Sequence, residues 1–320
     1  MAIGVERSPG RKKLLLAMEN VARIYNLLLS LFHCSLHPLP AFPMPPGFPQ
    51  PEIELPDPGL TQVHDDFDSD GIENNEVEYK DVDGDVVVDG VQITDVNQGR
   101  VADCYLLAVL GSIALHNPEY IKNMITDNGN GTYTVSFGGK LGDVTVDDDF
   151  ATFANGGIAY AQMGDESNPE LWVAIIEKAY MQGNLSNEDG SVRDGTYEGI
   201  GFGSSSIAME NITGQSSTRT GPSGVTPEGL QAALENGQSV VMGSLGANDK
   251  KDHTPDGLWR SHVYVLTDVR QNSKGEWEVT VYNPHGSDQH GIPQDPYTVM
   301  TMEQFNTNFR SVVVSDEPVG

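Results

Sequence analysis

Cysteine is scarce: Cys34 and Cys104 are the two present in 320 residues. They stand in very different contexts, so a bridge between them is not expected and a disulfide-stapled scaffold is excluded. Basic side chains are also few, 18 Lys and Arg against 46 Asp and Glu, which leaves a formal charge of -28. The first 40 residues are net +3, so the remainder carries -31. A field of that sign repels nucleic acid and anionic membranes, and it suits divalent cations or a screening salt. Long hydrophobic runs are missing too. The longest near-apolar stretch, IYNLLLSLFHCSL at 24–36, falls short of the ~20 residues a spanning helix needs. Residues 1–37 read as a basic amphipathic helix. RKKLLLAMENVARIYNLLLSLF can also be read as an atypical export signal, so cytoplasmic and secreted locations both stay open.

What the chain does have is sharply segregated. Residues 38–58 hold nine prolines, which precludes a helix and gives a semi-rigid connector. Between residues 65 and 95 there are twelve Asp and Glu and a single Lys. Within that stretch DFDSDGIEN sets Asp66, Asp68 and Asp70 on alternate positions ahead of Gly71, the spacing of carboxylates that converge on a hard cation. A complete loop of the EF-hand kind wants Glu at the twelfth position, where Val77 stands, so this is a degenerate calcium loop or an acidic linker.

From residue 93 the texture turns globular. CYLLAVLGSIALHN reads as a buried helix ended by Asn117-Pro118, and PELWVAIIEKAYMQ as a second helix. GTYTVSFGG and LGDVTVDDDF read as short strands. TPEGLQAALENGQ is a short helix with Thr226 as its N-cap. Strand patterns follow in SVVMGSL, SHVYVLTDVRQ, GEWEVTVYN and FRSVVVS, with a hairpin turning at NSKG. The expected fold is α+β, a helical lobe over 93–214 followed by an antiparallel sheet lobe over 215–320.

Three residue types carry the chemistry. Cys104 opens a helix, where unpaired backbone N–H groups favour the thiolate. His262 and Asn283 lie on strands expected to be neighbours, close enough for a side-chain hydrogen bond. The imidazole then takes the thiol proton and returns it to the leaving amine while the amide holds the ring. Gln98, in the loop feeding the helix, can donate with the Cys104 N–H to a developing oxyanion. Each residue also has a plain structural reading: an inert core thiol, a satisfied histidine, a turn asparagine. A calcium-binding structural or adhesion module with an inactive core, or another thiol acyl-transfer enzyme, are the alternatives.

Five ordered motifs then resemble the protease core of the calpain family, within the papain-like cysteine peptidases. They are QGRVADCYLLAVLGSIA, LWVAIIEKAYMQ, GTYEGIGFGSSSIAMENITG, the pair SHVYVLTDV and VYNPHG, and TMEQFNTNFRSVVV. The resemblance implies a papain-like two-lobe fold and a cysteine endopeptidase acting on proteins or peptides. Cys104 would be nucleophile, His262 acid and base, Asn283 orienter and Gln98 oxyanion donor. It also implies calcium as a regulatory ion held by Asp95 and Glu170, with no cofactor needed for the chemistry itself. His285 stands where the family has a tryptophan shielding the Asn–His bond, and Ser261 where it has a glycine. Gly201, Gly203 and Ser204 are expected to line the substrate groove, since small residues permit close backbone approach. The leader over 1–92 would act as a zymogen segment occupying the cleft, or as a tether.

Overall fold

The structure is a computed structural model that describes residues 53–60, 77–82, 84–153, 156–161, 170–183, 196–248, 251–286, 288–289, 292–293 and 295–319. The chain divides into two compact units, 1–48 and 49–320, and every described residue belongs to the second. The basic helix, Cys34 and the expected calcium loop with Asp66, Asp68 and Asp70 lie outside the described residues.

The helical lobe begins with strand β1 (Glu78–Asp81), then helices α1 (Cys104–His116) and α2 (Pro118–Met124). Strands β2 (Ile125–Asp127), β3 (Thr132–Ser136), β4 (Asp143–Asp147) and β5 (Asp149–Thr152) follow, then helices α3 (Trp172–Gly183) and α4 (Ser205–Thr213). The sheet lobe holds β6 (Ser217–Thr220), α5 (Pro227–Glu235), β7 (Val240–Ser244), β8 (Val263–Gln271) and β9 (Trp277–Tyr282). It closes with the two-residue strands β10 (Asp288–Gln289) and β11 (Ile292–Pro293), then β12 (Tyr297–Thr301), α6 (Met302–Asn308) and β13 (Phe309–Ser315). This is the α+β order the sequence led us to expect, helices first and antiparallel sheet second, and it fits a papain-like two-lobe arrangement.

The central helix α1 is apolar all round because it is enclosed on every side. Asn117 does two jobs at its end. Its N–H bonds Ile113 O at 2.7 Å, and its Oδ1 accepts from Tyr120 N at 3.1 Å. Pro118 fits the first helical position, where no N–H is needed, so the Asn-Pro pair that should stop one helix also starts α2. The sequence reading saw the stop and not the start.

The main sheet runs β12-β9-β8-β7-β13-β6, antiparallel throughout. The β8–β9 hairpin turns at Asn272–Gly275 as expected, closed by Gly275 N to Asn272 O at 2.9 Å with Gly275 at φ +80°. Thr226 caps α5 by accepting from Gly229 N at 3.1 Å. The short helix α6 and strand β12 were not foreseen. α6 is held by a capping box between Thr301 and Gln304.

The described residues ahead of 93 are built into the helical lobe. β1 pairs with β5, and Leu171 N bonds Asp85 O at 3.0 Å. The leader piece 53–60 packs against β4 and α3: Leu55 N bonds Asp147 Oδ2 at 2.6 Å, and Lys178 Nζ meets Asp57 Oδ1 at 3.0 Å.

Candidate active site

Cys104 is the first residue of α1, a free thiol 8 % exposed. Its sulfur faces the backbone N–H of Val263, the first residue of β8, so it sits where the helical lobe meets the sheet lobe. Among the described residues no hydrogen bond joins this sulfur to the His262 ring. The expectation of a thiol favoured as thiolate is corrected here. Burial pushes Cys104 up to about 12, the Val263 N–H pulls the other way, and the neighbouring Asp103 carboxyl adds to the rise. The helix terminus is real, but desolvation outweighs it.

His262 directly precedes β8 and is 6 % exposed. Its backbone N–H donates to Ser244 Oγ at 3.0 Å and its carbonyl accepts from Ser244 N at 2.8 Å. Ser261, before it, adopts a left-handed φ of +52°, a conformation that favours glycine. Asn283 follows β9, and His262 Nε2 lies 2.7 Å from Asn283 Oδ1. With the amide oxygen as acceptor, Nε2 carries the proton and Nδ1 keeps the lone pair. Burial brings His262 down to about 4, only partly opposed by the Asn283 bond. Burial thus favours the neutral form of the Cys104 thiol and of the His262 imidazole.

The loop before α1 is tied to the sheet lobe. Gln98 N donates to Pro284 O at 2.8 Å and Tyr282 Oη to Val96 O at 3.0 Å. Gln98 Nε2 donates to Val101 O at 2.6 Å, which fixes the side chain and leaves its second N–H. His285 N shares the Asn283 oxygen at 3.1 Å, and the His285 ring stacks at 4.5 Å from that of His262. The imidazole thus covers the flank of the His262–Asn283 pair, with Trp259 beyond it at 6.5 Å.

On the opposite wall, Phe202 N donates to Ala102 O at 2.8 Å, two residues from the cysteine. Gly203 lies flat on the Tyr105 ring, where an added Cβ would fall 2.2 Å from Cζ. Gly201 is half-buried and Ser204 is the N-cap residue of α4. Between them Phe202 holds φ +58° and is 80 % exposed, a strained and unburied aromatic hydrogen-bonded to the backbone two residues before Cys104. The sequence reading passed it over for its glycine neighbours.

Asp95 and Glu170 are brought together. Asp95 Oδ2 accepts from Gln92 N at 2.7 Å and from Trp172 Nε1 at 3.0 Å. Glu170 Oε1 accepts from Asp89 N at 3.3 Å, while its buried Oε2 has no hydrogen-bond partner among the described residues. Burial raises both carboxyls, and Asp95 raises Glu170 further. Two adjacent carboxylates with an orphaned oxygen fit a hard cation, although no cluster of three acidic, histidine or cysteine ligands occurs among the described residues.

Comparison with known proteins decides the family. The model of "Calpain family cysteine protease" matches residues 76–292, more than half of the chain. The chain belongs to the calpain family. Rat "Calpain-9" is 30 % identical over 216 residues, covering 62 % of this chain and 29 % of that protein. "Calpain clp-4" of Caenorhabditis elegans is 28 % identical over 221 residues, 64 % of this chain and 29 % of that one. Rat "Calpain-1 catalytic subunit" is 31 % identical over 201 residues, 58 % and 26 %. The calpain-like chain thus spans less than a third of the length of these relatives. Among the described residues no helix is long and apolar enough to cross a membrane.

Proposed function

We propose that this calpain-family chain is a cysteine endopeptidase that cleaves peptide bonds through an acyl-thioenzyme. The observation carrying this reading is the 2.7 Å His262–Asn283 bond, which leaves Nδ1 as the free base beside the β8 residue whose N–H faces Cys104. Because burial favours the neutral thiol and imidazole, proton transfer accompanies attack. Sγ bonds the substrate carbonyl carbon as its proton passes to His262 Nδ1, and the Cys104 N–H with the second N–H of Gln98 receives the oxyanion. The imidazolium then protonates the departing amine as the C–N bond breaks. A water, deprotonated by the same ring, hydrolyses the thioester and regenerates the thiol. His285 limits water at the His262–Asn283 bond, and Gly201, Gly203 and Ser204 border the groove for an extended substrate backbone.

Asp95 and Glu170 would hold calcium, whose charge would offset one carboxylate three residues ahead of Gln98 and one just ahead of α3, steadying the oxyanion side. Calcium should raise the melting temperature of the wild type and not that of Glu170→Gln. Identical melting with calcium and with chelator would remove these two residues from the reading.

The function itself is tested with a denatured protein substrate such as casein. Cys104→Ala should abolish cleavage, a loss of about a thousandfold or more, with unchanged melting. An epoxysuccinyl peptide should label Cys104 in the wild type. Cleavage retained by Cys104→Ala would end the assignment.

A further inference from the structure

Two charged residues in the core of the helical lobe have no part in that mechanism. Asp103 caps α1 directly before Cys104 and is 0 % exposed; Glu177, on α3, is 1 % exposed. Asp103's carbonyl bonds Leu106 N and Leu107 N, but neither of its carboxyl oxygens has a hydrogen-bond donor among the described residues. Its carboxyl faces that of Glu177, whose two oxygens receive a single donor, Ala161 N, at 3.2 and 3.0 Å.

Among the described residues no cation pairs with either carboxyl. Lys178, the next residue on α3, is committed to Asp147 at 2.5 Å and Asp57 at 3.0 Å. Among the described residues the phenols of Tyr79 and Tyr197, both pushed up by burial, stand near the pair with the Tyr160 ring stacked on Tyr197, and the Cys104 thiol lies beside Asp103. Two carboxylates facing each other in such a place cannot both be charged.

We propose that Asp103 and Glu177 share one proton, and that this proton keeps the residue beside the nucleophile uncharged so that Cys104 can give up its own. Desolvation raises both carboxyls, and the charge of each acts on its neighbours: Asp103 raises Glu177 and also Cys104. Ala161 N–H supports a charge on Glu177, and no donor among the described residues supports one on Asp103, so the proton sits on Asp103 and the pair's single negative charge on Glu177, the member remote in sequence from the sulfur. If the proton leaves, a full charge stands one residue from the developing thiolate and opposes it. Asp103 and Glu177 are thus positioning residues that act through the electrostatics of the cysteine. This rests on the reading of Cys104 as nucleophile, so the test reads the thiol directly rather than peptide cleavage.

The experiment follows iodoacetamide alkylation of Cys104 against pH in the full chain, with the modified peptide resolved by mass spectrometry. The two amide variants move in opposite ways. Asp103→Asn fixes the favourable distribution, so its rate at pH 7 stays within about twofold of wild type, and it exceeds wild type progressively at alkaline pH. Glu177→Gln leaves Asp103 with a donor that stabilises its charge, and the rate at pH 7 falls about tenfold, one pKa unit of the thiol. If either variant fails to fold, Asp103→Asn/Glu177→Gln, uncharged and isosteric, carries the test: its alkylation should not fall below wild type at pH 7 and should exceed it progressively at alkaline pH. Profiles that overlay wild type, or that fall in parallel at all pH values, overturn the proposal. Loss of casein cleavage with these alkylation shifts intact would instead strike the peptidase reading alone.

Discussion

The two lobes keep their charges differently. Among the described residues the helical lobe buries Asp103, Asp147, Glu170, Glu177 and Lys178. The sheet lobe buries none of the four charged residue types; its enclosed polar groups are Ser, Thr, Asn and His262. The sheet reaches its core by alternation, with Val240, Met242, Leu266, Val279 and Val281 turned inward against Phe305 and Phe309. The helical lobe puts α3 through its centre, so even Glu177 and Lys178 on that helix are enclosed and must find partners.

This difference gives the lobes opposite responses to pH. In the helical lobe Asp103 and Glu177 bind protons more tightly folded than unfolded. Their contribution is complete below the ordinary carboxylate range and is lost as pH rises through their folded values. In the sheet lobe His262, brought down to about 4 from 6.5, binds its proton less tightly when folded. Its contribution is complete above pH 6.5 and is lost as pH falls toward 4. The helical lobe thus tolerates acid and the sheet lobe tolerates base.

The largest way to break this comparison is Lys178→Met. The Lys178 ammonium holds Asp147 and Asp57 and donates to Asp149 O at 2.5 Å. Removing it leaves Asp147 buried without its cation and should cost about 3–5 kcal/mol by denaturant unfolding. Little change in the midpoint would show that Asp147 simply takes a proton.

A smaller effect sharpens the sheet-lobe half. Between pH 6.5 and 4 the wild type should lose about 3 kcal/mol that His262→Gln does not, from the fall of one imidazole to about 4. Parallel acid melting curves for the two proteins would contradict this.

The smallest concerns Phe202, the exposed residue with left-handed backbone on the helical-lobe wall. Phe202→Gly should raise stability by up to about 1 kcal/mol by relieving strain, while raising KM for peptides several-fold and sparing kcat. An unchanged KM would separate this ring from substrate binding.

Local features of the sequence anticipated much of the frame. The start of α1 at Cys104, the Thr226 cap, the Asn272–Gly275 turn and the order of helices before strands all follow from short-range rules. Where two short-range signals overlapped, as at Asn117-Pro118, the reading found one and lost the other. The site was legible as residue types in order: the strand neighbours that place His262 by Asn283 were inferred from a hairpin, and the hairpin is there. Its electrostatics were not. An Asp before a cysteine, and Glu177-Lys178 on an apolar helix, were the visible signs of Asp103, Glu177 and Lys178 in the core, but nothing along the chain says which partner each would meet.

The amino-acid order by itself determined the helix that presents Cys104, the strands that carry His262 and Asn283, and the family these motifs mark, because periodicity, caps and turns act over a few residues. The tertiary structure alone decided that burial opposes charge on the thiol and the imidazole, that Asp95 meets Glu170, and that Asp103 faces Glu177. Desolvation and charge pairing depend on what the rest of the chain places around a group, and a helix terminus worth a fraction of a charge yields to them once water is excluded.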